Sequence, residues 1–156
     1  RRAKEAGCRI GLDLASFEVV RDFREDLPDI LRNYVDIVLA NEEEASALFD
    51  GLTTEEQLDR LASWCDIAAI KLGRRGSLIR RGNETAKVPA LLVAEPVDTT
   101  AAGDLWAAGF LYGVLRERPL AEAAWYGSLV SSEVVKVVGS ELPEPVWSEI
   151  KGKIVK

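Results

Sequence analysis

Histidine is absent from this 156-residue sequence. Its absence excludes a Ser-His-Asp triad and the imidazole ligands of most zinc sites, so proton transfer must fall to Asp, Glu, Lys or Tyr. Cysteine is scarce. Cys8 and Cys65 are the two in the chain; they lack C-x-x-C spacing and sit in apolar, strand-like stretches, which predicts buried free thiols in a reducing compartment. Positive charge is also short: 20 Lys and Arg against 26 Asp and Glu leave a net charge of -6. The basic footprint that collects nucleic-acid or membrane phosphates is therefore missing, and neither partner is expected. No apolar run reaches the roughly 18 residues of a membrane span, and the first residues do not read as a signal peptide. The expected location is cytoplasmic. Neither G-x-x-x-x-G-K-[ST] nor G-x-G-x-x-G occurs, so a P-loop and a dinucleotide fingerprint are both lacking.

What is present is an ordinary globular composition, 47% hydrophobic, in a chain long enough for one domain spanning residues 1–156. The opening "RRAKEAGCRIGLDL" reads as the last turns of a helix, a stop at Gly7 and a strand, which suggests that further chain precedes it. From there the pattern alternates. "CRIGLDL", "VDIVLA" and "DIAAIKLG" are apolar runs of strand length. Between them lie helical stretches: about 17–34, restarting at Pro28, then "EEEASALF" and "TTEEQLDRLASWC" with a Thr cap and a Glu three residues on. This alternation predicts an α/β fold with a mostly parallel sheet flanked by helices. After Lys71, "GSLIRRG" and "ETAKVPA" are alternating segments joined at Gly82-Asn83, a small antiparallel edge. The remainder reads as helix over about 102–116, 120–138 and from Pro145 onward.

Ligands of open α/β sheets bind beyond the carboxyl ends of the strands. There the sequence places Asp13, then Asn41 with Glu44 one turn on, then Lys71 and Gly73, and finally Asp98 after a late extended segment. Local roles exist for each. Asp13 can cap a turn, Asn41 and Glu44 fit a capping box, and Gly73 and Gly76 fit a tight turn between strands as well as a backbone approach to phosphate. "EPVDTTAAGDLWAAGFLYGVL" is the strongest candidate. Ala101, Ala102 and Gly103 precede a helix whose first N–H groups lack intrahelical partners, and Asp104 lies in its first turn. That combination can be an anion site with a base beside it, or a helix capped by Asp98 or Thr100.

"DTTAAGDLWAAGFLYG" closely resembles the C-terminal signature of the ribokinase-like (PfkB) carbohydrate and nucleoside kinases, D-T-x-G-A-G-D-x-F-x-x-G-F. "VLANEEEA" is similar to the family's N-x-x-E motif and "IKLGRRGS" to its strand and glycine turn, in matching order. The resemblance implies the C-terminal nucleotide-binding and catalytic part of a ribokinase-like fold, without the half that carries the acceptor-binding residues and lid. It implies transfer of the γ-phosphoryl group of ATP, with Mg2+ and in many members K+, to a hydroxyl of a sugar or nucleoside. Asp104 would be the base, and the Ala101, Ala102, Gly103 and Asp104 amides the anion hole. Asn41 and Glu44 would organise Mg2+ through its waters, and Gly73, Gly76, Lys71 and Thr99 would serve the nucleotide. Asp98 and Thr100 would begin a monovalent-cation site closed near Gly139 and Ser140. The alternative is a fragment or degenerate kinase that binds nucleotide without turnover. Two positions depart from the signature: Trp106 replaces Phe, and Ala101 replaces a Gly, which matters if that position needs φ > 0. A missing half would leave a sheet edge or face uncovered, and a homodimer is one way to cover it.

Overall fold

The computed structural model describes residues 1–155. They form two compact units, one of Arg1–Gly73 and Ser77–Ala86, the other of Arg74–Gly76 and the chain from Lys87 onward.

The first unit is built around a sheet with strands in the order β1 (Gly11–Asp13), β2 (Ile37–Asn41), β3 (Ile67–Lys71), β4 (Ser77–Arg81) and β5 (Glu84–Val88). The first three run parallel and β4 returns antiparallel to β3. The expected α/β sheet with a small antiparallel edge is what the chain forms. β2 and β3 are buried from first residue to fourth, which is why both read as continuous Val, Ile, Leu and Ala runs rather than alternating ones. One face, carrying Val38, Ala40, Ala68, Ile70 and Leu78, joins a core with Val20, Leu31, Leu58 and Leu61. Those four come from helices α2 (Phe17–Asp22), α3 (Leu27–Tyr34) and α5 (Thr54–Ala62). Each fully buried leucine contributes about 2 kcal/mol of transfer free energy.

Local chemistry sets the helix ends. Ser16 caps α2, and Thr53 with Glu56 forms the capping box expected for α5. Helix α4 (Glu42–Leu48) starts on a second box, Asn41 with Glu44. A short helix α1 (Arg2–Glu5) precedes β1, and Asp36 ties the two together: it accepts from the Ile10 amide at 2.7 Å and from Lys4 Nζ at 2.5 Å. The Lys4 bond is the main reason the Asp36 carboxyl lies below the usual range, with the Ile10 amide second.

The second unit holds α6 (Ala102–Leu115), α7 (Leu120–Val134) and α8 (Glu144–Ile154). Helices α6 and α7 pack at glycines because nothing larger fits. A Cβ on Gly109 would lie 2.6 Å from the Tyr126 carbonyl oxygen, and one on Gly113 2.6 Å from the Ala123 Cα. Trp106 stacks on Phe110 at 5.0 Å between centroids, and Tyr126, Leu129, Val134 and Ile150 belong to a shared core.

Three expectations are corrected. Helix α7 ends at Val134, not near Val138, because the chain tightens into three-residue turns: Lys136 N donates to Glu133 O and Val137 N to Val134 O. Gly139 follows in the left-handed region at φ 80°. The segment before Asp98 is no strand; it is tied instead by Val97 N donating to Val135 O at 2.8 Å. Cys8 is exposed and Cys65 half-buried, so the two thiols do not share the buried environment expected of them. Cys8 lies outside the paired residues of β1, where side chains are not sandwiched.

Burial pushes the Cys65 thiol up to about 11, and its Sγ lies 3.8 Å from the Leu31 carbonyl oxygen. A thiol held protonated is a poor nucleophile. Treatment of the folded protein with a disulfide reagent near pH 8 is therefore expected to titrate Cys8 alone. Cys65 should react only on unfolding, and Cys8→Ser should abolish the fast phase.

Candidate active site

In the first unit, the carboxyl ends of three strands converge by register. Asp13 pairs with Leu39, and Asn41 pairs with Lys71, which in turn pairs with Ser77. Because side chains alternate along a strand, Asp13, Asn41, Lys71 and Ser77 all fall on one face of the sheet. Lys71 Nζ donates to Asp13 Oδ2 at 2.7 Å, and the other Asp13 oxygen accepts from the Ala15 amide at 3.1 Å. The Asp13 carboxylate thus caps a turn, as the sequence allows, and holds a lysine as well. Ser77 Oγ is fully buried and has no hydrogen-bond partner among the described residues.

Beside this row stands the capping box. The Asn41 amide donates to Glu44 Oε2 at 2.7 Å, Asn41 Nδ2 donates to Glu44 Oε1 at 2.7 Å, and the Glu44 amide donates back to Asn41 Oδ1 at 2.8 Å. Glu44 is only 2% exposed. That burial raises its pKa above the usual value, opposed by the Asn41 hydrogen bond and the Lys71 charge. Each carboxylate oxygen takes one bond here and has lone-pair capacity for another. The pair is accordingly a helix cap with acceptor capacity to spare. Its oxygens suit a hard cation approached through that cation's own water, since so buried a carboxylate is poorly placed to ligate directly. Among the described residues no group of three or more acidic, histidine or cysteine side chains could hold a metal by itself.

The second unit carries the signature stretch. Helix α6 begins at Ala102 with no side-chain cap: Asp98 and Thr100 do not cap it. Ala102 N donates to Thr99 O at 3.2 Å and Leu105 N to Ala101 O at 2.9 Å. The intervening amides of Gly103 and Asp104 are the first-turn donors that the helix itself does not use. Asp104 is exposed, and its carboxylate is favoured there by the positive end of the helix dipole. Ala101 occupies the left-handed region at φ 59°, ψ 5°. This position does need φ > 0, and the chain adopts it despite the methyl group.

Asp98 organises the preceding turn. Its Oδ1 accepts from the Thr100 amide at 2.8 Å and its Oδ2 from the Gly139 amide at 2.9 Å. Its pKa falls below the usual value chiefly through the Thr100 side-chain bond, then the Thr100 and Gly139 amides. The loop at Gly139 therefore comes to Asp98. Gly73 and Gly76 bracket a single 3-10 turn. Gly76, at φ 98°, could carry no side chain, since its Cβ would lie 2.0 Å from the Val88 carbonyl oxygen. Backbone packing alone accounts for glycine there. Gly73 has open space around it.

Comparison with known proteins agrees with the motifs. A family model described as pfkB family carbohydrate kinase matches residues 2–147. A probable sugar kinase from Rhizobium etli superposes with TM-score 0.89 at 36% identity, over 97% of this chain and 46% of that one. The adenosine kinase from Sinorhizobium meliloti superposes equally well, TM-score 0.89 at 34% identity, over 97% and 46%. The ribokinase from Thermotoga maritima gives 0.75 at 27%, over 96% and 51%. The ribokinase-like fold is thereby shown. The chain spans about half the length of the curated relatives it matches, 55% in one case and 49% in another.

An alanine held in the left-handed region is strained by about 1 kcal/mol relative to glycine. Ala101→Gly is expected to stabilise the protein by about 0.5 kcal/mol, the remainder being lost to the freer unfolded chain. Ala101→Val should destabilise it by more than that, and thermal unfolding of the three proteins checks both.

Proposed function

We propose that this chain, which belongs to the pfkB family of carbohydrate kinases, is the nucleotide-binding and catalytic part, a single functional domain, of an ATP-dependent phosphotransferase. It would move the γ-phosphoryl group to a hydroxyl of a sugar or nucleoside. The observation that carries this reading is the head of α6: an uncapped helix start after a left-handed residue, with an exposed carboxylate in its first turn.

Each unit has its own part. In the second, Asp104 takes the proton from the acceptor hydroxyl as that oxygen attacks phosphorus. The backbone amides of Ala101, Gly103 and Asp104 offer donors to the equatorial oxygens of the transferred group, in the direction of the helix dipole, while that of Ala102 donates to the Thr99 carbonyl. Asp98 shapes the turn that leads into them, and with the Thr100 carbonyl and the loop at Gly139 and Ser140 it forms the start of a K+ site. Thr99 and the turn from Gly73 to Gly76 serve the nucleotide. In the first unit, Asn41 and Glu44 accept hydrogen bonds from magnesium-bound water. Bound magnesium would offset phosphate charge, while the protein supplies position and electrostatics, as phosphoryl transfer requires.

A nucleoside acceptor related to adenosine, or a ribose-like sugar, is favoured by the likeness to the Sinorhizobium meliloti adenosine kinase. A small-molecule acceptor agrees with the acidic balance of the chain, net -6, which offers nothing to nucleic acid. No helix among the described residues is long and apolar enough to cross a membrane, and we place the protein in the cytoplasm. A homodimer is the assembly we would look for first.

Asp104→Asn in the intact protein is expected to lower kcat by about a hundredfold or more, the range for losing a general base, with the Kd for ATP changed less than about twofold. Phosphorylation near the parent rate would remove Asp104 as base. ATP binding by the parent without turnover of any sugar or nucleoside would instead indicate a non-catalytic nucleotide-binding module.

A further inference from the structure

The resemblance groups Lys71 with the residues that serve the nucleotide, but in the structure its ammonium is engaged by Asp13, an ion pair to which the phosphotransfer reading gives no task. The two residues are 58 apart in sequence, and their heads meet at 2.7 Å. Lys71 keeps only 14% of its side chain exposed and Asp13 30%. A lysine at a strand end would ordinarily reach for solvent. This one is largely buried, and an ammonium withdrawn from water in that way is tolerable only against a counter-charge.

Its surroundings show what the ammonium faces. Register places Asn41 on one side of Lys71 and Ser77 on the other, with Asp13 on the same sheet face. The next helix contributes Glu44, 2% exposed and bonded twice by Asn41. Glu44 feels Lys71 as an attraction larger than the repulsion from Asp13 or from its neighbour Glu43 taken singly. An ammonium has three donors, and Asp13 takes one of them. Lys71 is thus tethered on one side and exerts its charge on the other.

Resting on the phosphotransferase reading above, we propose that Asp13 and Lys71 are positioning residues for magnesium-dependent nucleotide binding. Asp13 tethers the Lys71 ammonium at the end of β3, where its charge offsets the burial of the Glu44 carboxylate. The capping box, relieved of that cost, holds the oxygens of Asn41 and Glu44 in place for magnesium-bound water. Lys71 in this arrangement acts through Glu44 and makes no bond to the phosphates.

Calorimetric titration of the intact protein with ATP, once in magnesium and once in EDTA, separates the two roles. The parent should bind more tightly with magnesium. Lys71→Met and Asp13→Asn should each shrink that magnesium-dependent gain by about fivefold or more, in the range of coupled close charges, and leave the EDTA affinity within about twofold. Lys71→Arg should restore most of the gain. An equal loss of affinity in both buffers would make Lys71 a direct phosphate ligand and overturn the proposal, as would variants indistinguishable from the parent. If Lys71→Met does not fold, Asp13→Glu takes its place, keeping both charges and moving the carboxylate by one methylene; a gain reduced by about twofold or more supports the pair, and an unchanged gain overturns it. A parent whose ATP binding is absent or indifferent to magnesium would sink the phosphotransferase reading itself, an outcome separate from failure of the pair.

Discussion

The first unit depends on the in-register parallel pairing of β2 with β3. Ile37 to Asn41 run beside Ile67 to Lys71 without a bulge, so every apolar side chain that should face the α2–α5 core does so. A slip of one residue would exchange the two faces of the strand, putting Val38 and Ala40 in place of Leu39 and Asn41. The same pairing decides where polar side chains gather. Both strands end in a polar residue at the same level, and β4 adds Ser77 to the row. Packing in the middle of the sheet and polarity at its end are thus one geometric fact.

Asn41, Glu44 and Asp98 each have a structural role of their own, and the phosphotransfer we propose would use the same residues, so the local and the functional readings of the sequence do not compete. Asn41 and Glu44 form a complete capping box, yet each Glu44 carboxylate oxygen keeps acceptor capacity beyond the bond that the box uses. Asp98 bonds to amides at Thr100 and Gly139, 41 residues beyond it, and in doing so shapes the turn ahead of α6. Because its pKa is lowered, those bonds persist through neutral pH and weaken as acid approaches its folded value.

Much of the architecture was legible because it is local. The buried runs of β2 and β3, the Thr53 box and the Gly82-Asn83 hairpin are written in adjacent residues and survive folding unchanged. What was less legible depends on distance. Nothing near Asp13 or Lys71 announces a partner 58 positions away, although two opposite charges at the ends of the strands that flank β2 were a usable signal. The exposure of Cys8 reflects the shortness of β1, three residues long, where seven apolar-patterned ones had suggested more. The end of α7 turned on a tightening at Lys136 and Val137 to which helix propensity is blind. For Ala101 the sequence posed the right question, whether the position needs φ > 0, and only backbone geometry could answer it.

The glycine contacts between α6 and α7 have a mechanical side. With Gly109 and Gly113 set against the backbone of the facing helix, α6 is clamped at its middle like a beam. Gly127 of α7 likewise lies against the Trp106 carbonyl, and Asp104 overhangs that contact by about 3 Å, at 1.5 Å per residue. So short a cantilever bends little, and the carboxylate is carried as part of a stiff two-helix body. Any excursion of that group large enough to matter must take α7 along with it.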